Sequence, residues 1–454
     1  DENRARFAIE ILQAIKRGAG ADMPVIYRIA PDHRVPGSRT LENCGPTFAV
    51  LDKAGVDAFD CDAGSYDNID YVFPTQYLGD QPLAYVLPTV RQHTDKPLLN
   101  AGNHTPETAV KLIESGNSDF VLFGRGLICD PELPNKLMNG DRNDVRPCMR
   151  CLEECVRRTV DRTTKVSCAL NPRANEEMFF NIKKIETPKN VVVVGAGPGG
   201  MEAARVAALE GNKVTLFEKS SVKGGNMLVA STPDFKDPIK DLLRWYDIQL
   251  GKLGVEIRMN TEIKADDPIL EQADLIVMAT GANELVPPIP GIHGSNVVSV
   301  IDAHMDWDLV KGKNIVICGG GLSGCECAYD LAKENGMTVT VVEMFNKVLN
   351  GVFTINEFSL KFKMKDYPIT LRTSCKVTKI DERGVTIQNQ DGQEEFLPAD
   401  TVVTAFGLRP NAQVAEEVRA KYPKKTWIIG DSEKIGNIGN AVRGGYYAAM
   451  SLID

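Results

Sequence analysis

Two glycine-rich fingerprints constrain the fold of this chain more than any other feature. The first, residues 195–200, follows the buried apolar run 191–194 and opens an alanine-rich segment. The second, residues 319–324, follows the apolar run 315–318. Both have the form G-x-G-x-x-G between a strand and a helix, which is the context that a dinucleotide-binding βαβ unit requires. One copy would be weak evidence, but two copies in this context predict two such units.

Within each fingerprint the glycines have separate tasks. The first makes a tight turn, the second lets the backbone approach a pyrophosphate, and the third lets the helix pack on the strand. These residues are Gly195, Gly197 and Gly200 in the first unit, and Gly319, Gly321 and Gly324 in the second. The alternative is a pair of structural βαβ units that bind nothing.

The strand after each fingerprint ends in a carboxylate, Glu218 in the first unit and Glu343 in the second. A carboxylate at this place can accept hydrogen bonds from ribose hydroxyls and repels a 2′-phosphate. Residues 344–346 supply no arginine to receive such a phosphate. The second unit is therefore predicted to prefer NADH, with NADPH remaining an alternative.

Further segments fit this pair of units. Residues 279–281, including Thr280 and Gly281, end a strand with the small residues that crossing chains need, as do residues 405–407. Asp431 follows the strand at 427–429, where a carboxylate can bind a ribityl hydroxyl of a flavin. The helix from Asn440 could direct its N-terminus at a flavin ring.

The order of the patterns predicts several domains. The 454 residues suggest about three. Before residue 140, strand-like runs alternate with helical patterns, which predicts a parallel sheet of the α/β-barrel type with its site at the strand ends. After about residue 399 the chain returns to the pattern of the first dinucleotide unit, so one βαβ domain is predicted to be inserted in another.

Four cysteines are spaced as Cys148-x2-Cys151-x3-Cys155-x12-Cys168. Four thiolates form the ligand set of a [4Fe–4S] cluster. Zinc is the competing interpretation, because Cys₄ sites also bind zinc, although paired C-x2-C arms are missing here. A chance group of buried cysteines is the third. The other cysteines are predicted to be core residues: Cys44, Cys61, Cys129, Cys318, Cys325, Cys327 and Cys375.

Charge and cysteine use bear on partners and location. The formal net charge is −9, which gives no electrostatic reason to bind nucleic acid or an anionic membrane. No apolar run approaches the roughly 20 residues needed to cross a bilayer. Eleven cysteines, an odd number spread unevenly, argue against a disulfide framework. A cytoplasmic protein is therefore expected.

Taken together, these residues resemble the iron–sulfur flavoenzyme family of 2,4-dienoyl-CoA reductase, enoate reductase and trimethylamine dehydrogenase, which is related to old yellow enzyme. The resemblance covers essentially the whole chain. It implies an α/β fold: the C-terminal half of an FMN-binding TIM barrel (1–140), a [4Fe–4S] segment with linker (141–187), an FAD-binding Rossmann-like domain (188–300 and 395–454) and an inserted NAD(P)H-binding Rossmann-like domain (301–394).

The resemblance also implies which residues bind each group. The FMN residues are Arg28, Gly102, Asn103, Gly124 and Arg125. The FAD residues are Gly195, Gly197, Gly200, Glu218, Gly225, Thr280, Gly281 and Asp431. The NAD residues are Gly319, Gly321, Gly324 and Glu343, and the cluster ligands are Cys148, Cys151, Cys155 and Cys168. For Arg125 the alternative is a surface ion pair.

One position departs from the family pattern. Residues 64–67 align with a loop that carries an active-site histidine in dienoyl-CoA reductases, and the position here is Tyr66. A phenol can donate a proton near a developing carbanion, so Tyr66 is the candidate catalytic residue. A packing tyrosine is the alternative.

The function implied by the resemblance is NADH-dependent reduction of an activated C=C bond in an enoate, enoyl-CoA or enone. Electrons would pass from NADH to FAD, to [4Fe–4S], to FMN and to the small-molecule substrate. The alternatives are an amine dehydrogenase or demethylase of the trimethylamine dehydrogenase type, and an NADH diaphorase or electron-transfer fragment. The first half of the barrel is expected upstream of this chain, and assembly into a homo-oligomer is expected.

Overall fold

The computed structural model describes residues 2–451. It divides into two compact units, Asp1–Leu127 and Ile128–Asp454. Within the described residues, no helix is both long enough and apolar enough to cross a membrane.

The first unit is a parallel sheet with helices between its strands. The strands are β1 (Ile26–Ile29), β2 (Ala58–Cys61), β3 (Leu98–Asn100) and β4 (Phe120–Val121). The helices are α1 (Glu2–Ala19), α2 (Leu41–Lys53), α3 (Ile69–Val72), α4 (Leu87–Arg91), α5 (Pro106–Glu114) and α6 (Arg125–Cys129). The sheet order is β1-β2-β3-β4, and every pair is parallel. The carboxyl ends of the strands therefore share one edge of the sheet.

Burial explains why the middle strands form. Every residue of β2 and β3 is buried, as expected for a parallel sheet covered by helices on its faces. Phe59 of β2 packs against Phe48 of α2, with ring centroids 4.9 Å apart. The edges of the sheet differ, because Ile26 of β1 and Phe120 of β4 are 57% and 56% exposed. Both edges of the sheet thus present apolar side chains.

The second unit contains two parallel sheets of the dinucleotide-binding type. Its strands are β5 (Asn190–Val194), β6 (Lys213–Phe217), β7 (Glu256–Arg258), β8 (Leu275–Met278), β9 (Ala282–Glu284), β10 (Val297–Ser299), β11 (Asn314–Cys318), β12 (Thr338–Val342), β13 (Ile369–Arg372), β14 (Cys375–Asp381), β15 (Gly384–Asn389), β16 (Glu394–Pro398), β17 (Thr401–Thr404), β18 (Leu408–Pro410) and β19 (Thr426–Ile428). One sheet has the order β19-β8-β5-β6-β7, and the other has the order β10-β17-β11-β12-β13.

Helices and smaller sheets complete the second unit. The helices are α7 (Leu133–Met138), α8 (Val156–Val160), α9 (Pro198–Leu209), α10 (Asn226–Ala230), α11 (Asp237–Lys252), α12 (Val300–Met305), α13 (Leu322–Asn335), α14 (Thr354–Met364), α15 (Gln413–Lys421) and α16 (Ile438–Met450). Strands β14, β15 and β16 form an antiparallel sheet, and β9 pairs antiparallel with β18. The β9–β18 pair lies where the chain passes between the two parallel sheets.

The sheets differ from the predicted domain boundaries at β17. The sequence interpretation assigns residues from 395 onward to the first dinucleotide domain, yet β17 pairs with β11 and β10 of the second sheet. The run Thr401–Thr404 is short and its first three residues are buried, and such a run has no local feature that selects its partner strands. The chain rejoins the first sheet at β19, which pairs with β8.

Candidate functional site

The first fingerprint forms the strand–turn–helix connection between β5 and α9. Gly195 has a φ of +103°, and a Cβ on it would lie 2.3 Å from the Ala279 carbonyl oxygen. A Cβ on Gly200 would lie 1.9 Å from the Gly195 oxygen. By contrast, none of the described residues lies within 4 Å of a Cβ on Gly197, which caps the N-terminus of α9. This geometry leaves room for a phosphate above Gly197 and lets the helix N-terminus face it.

Glu218 connects the end of β6 to the fingerprint. Its Oε2 accepts a hydrogen bond from the Ala196 backbone N–H at 2.8 Å, and its Oε1 accepts from the backbone N–H and hydroxyl of Ser220, both at 2.9 Å. A carboxylate can accept about four hydrogen bonds, so capacity remains for one from a ribose. Besides the predicted contact with a ribose, Glu218 thus holds the fingerprint loop at Ala196 against the loop at Ser220.

The other residues predicted for the first unit lie on neighbouring loops. Gly225 has a φ of +53°, and a Cβ on it would lie 3.5 Å from the Cα of Gly197. The Thr280 hydroxyl donates to the Asn411 carbonyl at 2.7 Å, so it links the segment after β8 to the segment after β18. Asp431 Oδ1 accepts from the Gly436 backbone N–H at 2.9 Å, and burial raises the pKa of this carboxyl.

The second fingerprint repeats the first in nearly every contact. A Cβ on Gly319 would lie 2.2 Å from the Ala405 oxygen, and one on Gly324 would lie 2.0 Å from the Gly319 oxygen. Among the described residues none lies within 4 Å of a Cβ on Gly321, the N-cap of α13. Glu343 accepts from the Gly320 backbone N–H at 2.8 Å, as Glu218 does from Ala196. The two loops thus present equivalent helix N-termini.

A cavity of about 260 Å³ lies against both dinucleotide units. Asn226 and Lys236 line it from the first unit, and Gly321 and Ser323 line it from the second fingerprint. Apolar side chains, including Phe406, make up much of its wall, as is usual for a cofactor pocket. Sequence reasoning identified Gly321 and Gly324 of this pocket but not most of the other residues that line it.

Two residues that line this cavity, Lys236 and Glu326, form a buried ion pair. Their side chains are 9% and 4% exposed, and they are 90 residues apart in the chain. His304 also lines the cavity, and its Nδ1 lies 3.2 Å from the Thr232 hydroxyl. Burial, and then the nearby Lys236 charge, lower the pKa of His304 to about 4, so the ring is neutral at pH 7. Sequence reasoning missed these residues because none stands in a motif.

The four predicted cluster ligands lie in an irregular segment, and none of them forms a disulfide. All are partly buried, in contrast to the fully buried cysteines of the core. The Leu170 backbone N–H donates to Cys168 Sγ at 3.4 Å, a type of hydrogen bond that stabilises a thiolate. From α14, the Asn356 side chain donates to the Cys151 carbonyl at 3.0 Å. The donor set and its N–H···S bond are suited to a cluster.

Zinc was the alternative for these cysteines. Among residues 2–451, no three His, Cys, Asp or Glu side chains form a group that could hold a metal ion. A zinc site needs four donors at about 2.0–2.3 Å from one ion. The cluster assignment of these cysteines stays a prediction.

Cys129 stands next to these ligands. It is 1% exposed, as predicted for a core residue, and its Sγ donates to the Pro147 carbonyl at 3.5 Å. Interaction with the Cys129 thiol lowers the pKa of Cys168, and the same interaction raises the pKa of Cys129. A lowered pKa favours the thiolate, which is the form that binds metals. The remaining predicted core cysteines are all buried: Cys44, Cys61, Cys318, Cys325, Cys327 and Cys375.

In the first unit, the segments that follow β3 and β4 contact each other. Arg125 donates to the Asn103 side-chain oxygen and to the Pro74 carbonyl, both at 2.7 Å. Asn103 has a φ of +53°, and Gly102 before it has a φ of +107°. At Gly124, none of the described residues lies within 4 Å of a built Cβ. Among the residues that the structure describes, the acceptors of Arg125 are thus an amide oxygen and a carbonyl oxygen rather than a carboxylate.

Arg28 lies at the same edge of the sheet. It pairs with Asp62, and its Nε lies 3.6 Å from Asp60. Its side chain remains 63% exposed. Burial raises the pKa of Asp60, and among the described residues its Oδ1 has no hydrogen-bond partner. The two aspartates were not predicted, although Asp60 lies within β2 and Asp62 directly follows this strand.

Tyr66 follows β2 in a short 3₁₀ turn and is 87% exposed. Its side chain does not pack against other residues, so the alternative of a packing tyrosine is not supported. The role of Tyr66 as an acid stays a prediction.

Sequence reasoning missed a second tyrosine, Tyr85. The Tyr85 hydroxyl donates to Asp32 at 2.7 Å, burial raises its pKa to about 12, and the Arg34 guanidinium lies 5.5 Å from its ring.

Comparisons with known families agree with this architecture. Residues 1–144 match the NADH:flavin oxidoreductase / NADH oxidase family, and residues 189–434 match the pyridine nucleotide-disulphide oxidoreductase family. The parallel sheets and the two fingerprints thus define a flavin-dependent NADH oxidoreductase with a TIM-barrel-like FMN domain and Rossmann-like domains, which confirms the predicted fold class. The chain belongs to the 2,4-dienoyl-CoA reductase/enoate reductase family.

Several relatives cover nearly the whole chain. Cinnamate reductase of Clostridium sporogenes is 36% identical over 99% of this chain and 70% of its own length. NADH oxidase of Thermoanaerobacter brockii is 34% identical over the same shares. The solved structure of 2-naphthoyl-CoA reductase superposes with a TM-score of 0.91 at 30% identity, over 99% of this chain and 68% of that one. The chain therefore spans about 70% of the length of these relatives.

Proposed function

We propose that this protein reduces an activated C=C bond with electrons from NADH, passed through FAD, a [4Fe–4S] cluster and FMN. The observation that carries the proposal is the cavity lined by both dinucleotide units. A nicotinamide held by one unit can approach a flavin held by the other within that cavity. The four cysteines of the spaced motif, none of which forms a disulfide, would supply a cluster site in the same compact unit.

Each group is assigned to the residues that would hold it. The FAD residues are Gly195, Gly197, Gly200, Glu218, Gly225, Thr280, Gly281 and Asp431. The NADH residues are Gly319, Gly321, Gly324 and Glu343, and the cluster ligands are Cys148, Cys151, Cys155 and Cys168. The FMN residues are Arg28, Gly102, Asn103, Gly124 and Arg125. We assign FAD to residues 188–300 and 395–454 except for β10, β16 and β17. We assign NADH to residues 301–394 together with these three strands, because each of them pairs with a strand of the second dinucleotide unit.

The protein's residues orient these groups and move protons. Flavins supply hydride and single-electron chemistry when bound. The Arg28 side chain, exposed at the carboxyl edge of the first sheet, offers a positive charge to an anionic ring or carboxylate. Tyr66 projects from the same edge and would protonate the α-carbon of the substrate.

The substrate class is an α,β-unsaturated carbonyl compound such as an enoate, enoyl-CoA ester or enone. The names of the relatives support this assignment, since they include cinnamate reductase, 2-naphthoyl-CoA reductase and bilirubin reductase. A carbonyl next to the double bond stabilises the negative charge that develops at the α-carbon.

Oxidative demethylation is the second candidate. A relative named N,N-dimethylglycine/sarcosine dehydrogenase is 31% identical over 90% of this chain. The complete second fingerprint with Glu343 favours the reductive direction, because it provides for a nicotinamide donor.

We propose further that the open edges of the first sheet pair with other strands of the same barrel. The exposed Ile26 on β1 and Phe120 on β4 are apolar side chains that such strands would cover. Assembly into a homo-oligomer stays a prediction.

The test is a cofactor and activity measurement on the native, anaerobically purified protein. We expect four irons, one FAD and one FMN per chain, and NADH oxidation coupled to saturation of cinnamate or an enone. Flavin reduction by sarcosine or dimethylamine without enone reduction would favour the demethylase. NADH-dependent dye reduction without FMN would leave a diaphorase.

A further inference from the structure

A second arginine lies at the carboxyl edge of the first sheet, in the loop that follows β1. Arg34 is exposed, and its φ of +57° puts its backbone in the left-handed region, which a residue other than glycine rarely adopts. Such strain persists only where the surrounding structure holds it, and it is concentrated at active sites and ligand clamps. The contacts that hold Arg34 therefore indicate what this loop presents.

Hydrogen bonds hold the Arg34 turn against the loop that carries Tyr66. The Asn68 side-chain amide donates to the carbonyls of His33 and Arg34, at 2.9 and 3.2 Å. The oxygen of the same amide accepts from the Ser65 backbone N–H at 2.7 Å. Tyr66 lies between Ser65 and Asn68. One amide side chain thus fixes the arginine and the predicted proton donor on adjoining loops.

Two tyrosines contact the Arg34 side chain. Its guanidinium carbon lies 4.3 Å from the centre of the Tyr71 ring and 5.5 Å from that of the Tyr85 ring, and both distances are within the range of a cation–π contact. Tyr71 is itself fixed by Gly64, where a Cβ would lie 2.5 Å from the Tyr71 Cβ. Aromatic rings orient a guanidinium without neutralising its charge.

The acidic groups near Arg34 have other partners. Asp32 Oδ1 accepts from the Arg34 backbone N–H at 2.8 Å, and Asp32 Oδ2 accepts from the Tyr85 hydroxyl at 2.7 Å. Arg28, which is assigned to FMN, pairs with Asp62. The Arg34 guanidinium differs, because among the described residues it contacts aromatic rings and forms no ion pair with a carboxylate. Its charge is therefore available to an anionic ligand.

We propose that Arg34 binds the carboxylate of a free α,β-unsaturated acid, so that the substrate is an enoate rather than an enone or a CoA ester. A planar guanidinium binds a planar carboxylate through two parallel hydrogen bonds. Its positive charge also stabilises the negative charge that develops on the carboxyl oxygens. The adjacent α-carbon would then lie toward the loop of Tyr66. This inference rests on the proposed function, because it specifies the substrate of the same site.

The test compares three substrates that differ only at the carbonyl end. NADH-dependent reduction of cinnamate, methyl cinnamate and cinnamoyl-CoA would be measured with the native holoenzyme and with Arg34→Gln and Arg34→Lys. Arg39→Gln is the matched control, because Arg39 is an exposed arginine of the same loop and donates to the Ala30 carbonyl at 3.2 Å. Calorimetric binding of 3-phenylpropionate and of its neutral amide gives a second readout that needs no turnover.

We expect Arg34→Gln to lower kcat/KM for cinnamate about tenfold or more, mainly through KM, because it removes a hydrogen bond to a charged group. The value for methyl cinnamate should stay near that of the wild type, which would also show that the variant is folded. Arg34→Lys should lose less, because it keeps the charge but not the planar fork. The wild type should bind 3-phenylpropionate more tightly than the amide, and Arg34→Gln should not.

Distinct outcomes separate this inference from the proposed function. If the wild type reduces none of the three compounds, the proposed function is overturned, and equal binding of 3-phenylpropionate and its amide would then overturn the inference as well. Preferred reduction of cinnamoyl-CoA, or equal losses for cinnamate and methyl cinnamate in Arg34→Gln, would overturn the inference alone. So would a loss in Arg39→Gln as large as that in Arg34→Gln.

Discussion

At the scale of single residues, the fingerprint glycines serve two different physical purposes. Gly195 and Gly200 are required by the protein itself, because a side chain on either would overlap a backbone carbonyl. Gly197 has an ordinary φ of −74° and free space above its Cα among the described residues. Its lack of a side chain therefore matters for a ligand rather than for folding.

This distinction predicts opposite results for two alanine substitutions. Gly200→Ala should destabilise the fold by about 1–3 kcal/mol or more, because the new methyl group meets the Gly195 oxygen, which cannot move aside. Gly197→Ala should leave the unfolding midpoint nearly unchanged but weaken FAD binding at least tenfold. Denaturant unfolding of the apoprotein and flavin titration would measure both. Equal loss of stability in the two variants would contradict the assignment.

At the scale of elements, helix α9 carries charged residues that are buried in the core. Glu202 and Arg205 form a buried ion pair at 2.7 Å, and Tyr246 of α11 donates to the same carboxylate at 3.2 Å. These three side chains pair their charged and polar groups within the core and link the two helices.

At the end of α9, Glu210 is fully buried, and among the described residues its Oε1 has no hydrogen-bond partner.

Glu210 makes stability depend on pH. Burial raises the pKa of its carboxyl to about 7, although the charge of Lys189 opposes the shift. The folded state thus holds a proton that the unfolded state loses near pH 4.5. The contribution to stability is complete below about pH 4.5 and is lost as the pH rises through about 7.

Glu210→Gln should therefore be more stable than the wild type at pH 8, by up to about 3 kcal/mol, with the difference shrinking toward pH 4.5. Urea unfolding at several pH values would measure it. Glu271→Gln is the control, since the Glu271 side chain is 66% exposed and should show little change. A pH-independent effect of Glu210→Gln would mean that the charge of Glu210 is not responsible.

At the scale of the whole molecule, the second unit consists of two similar dinucleotide units that meet around one cavity. The β9–β18 pair joins the chain crossings between the two sheets. The Lys236–Glu326 ion pair joins two residues that line this cavity, one from each dinucleotide unit. Since both charges are removed from water, each depends on the other.

Lys236→Met should thus leave Glu326 buried without its counter-ion and reduce stability by about 3–5 kcal/mol. It should also slow flavin reduction by NADH, because the cavity that both cofactors share would be distorted. Denaturant unfolding and stopped-flow absorbance would give the two readouts. Lys240→Met is the control, because the Lys240–Asp237 pair is exposed and contributes less than about 1 kcal/mol. Equal effects of the two substitutions would refute the role of the buried pair.

The amino-acid sequence by itself determined the parts of the protein that depend on neighbouring residues. Both fingerprints follow a strand and open a helix as predicted, because a glycine turn and an apolar run are encoded within about ten residues. The strand ends with Gly102 and Arg125 were found for the same reason. The spacing of the four cysteines likewise singled out one segment.

Only the tertiary structure decided which distant segments meet. It placed β17 in the second sheet, paired Lys236 with Glu326 across 90 residues and packed Cys129 and Cys168 into the same core. None of these contacts has a local signal, since a buried strand or a core cysteine looks the same whichever partner it finds. They follow from the packing of the whole chain, which brings apolar faces and buried charges of distant segments into contact.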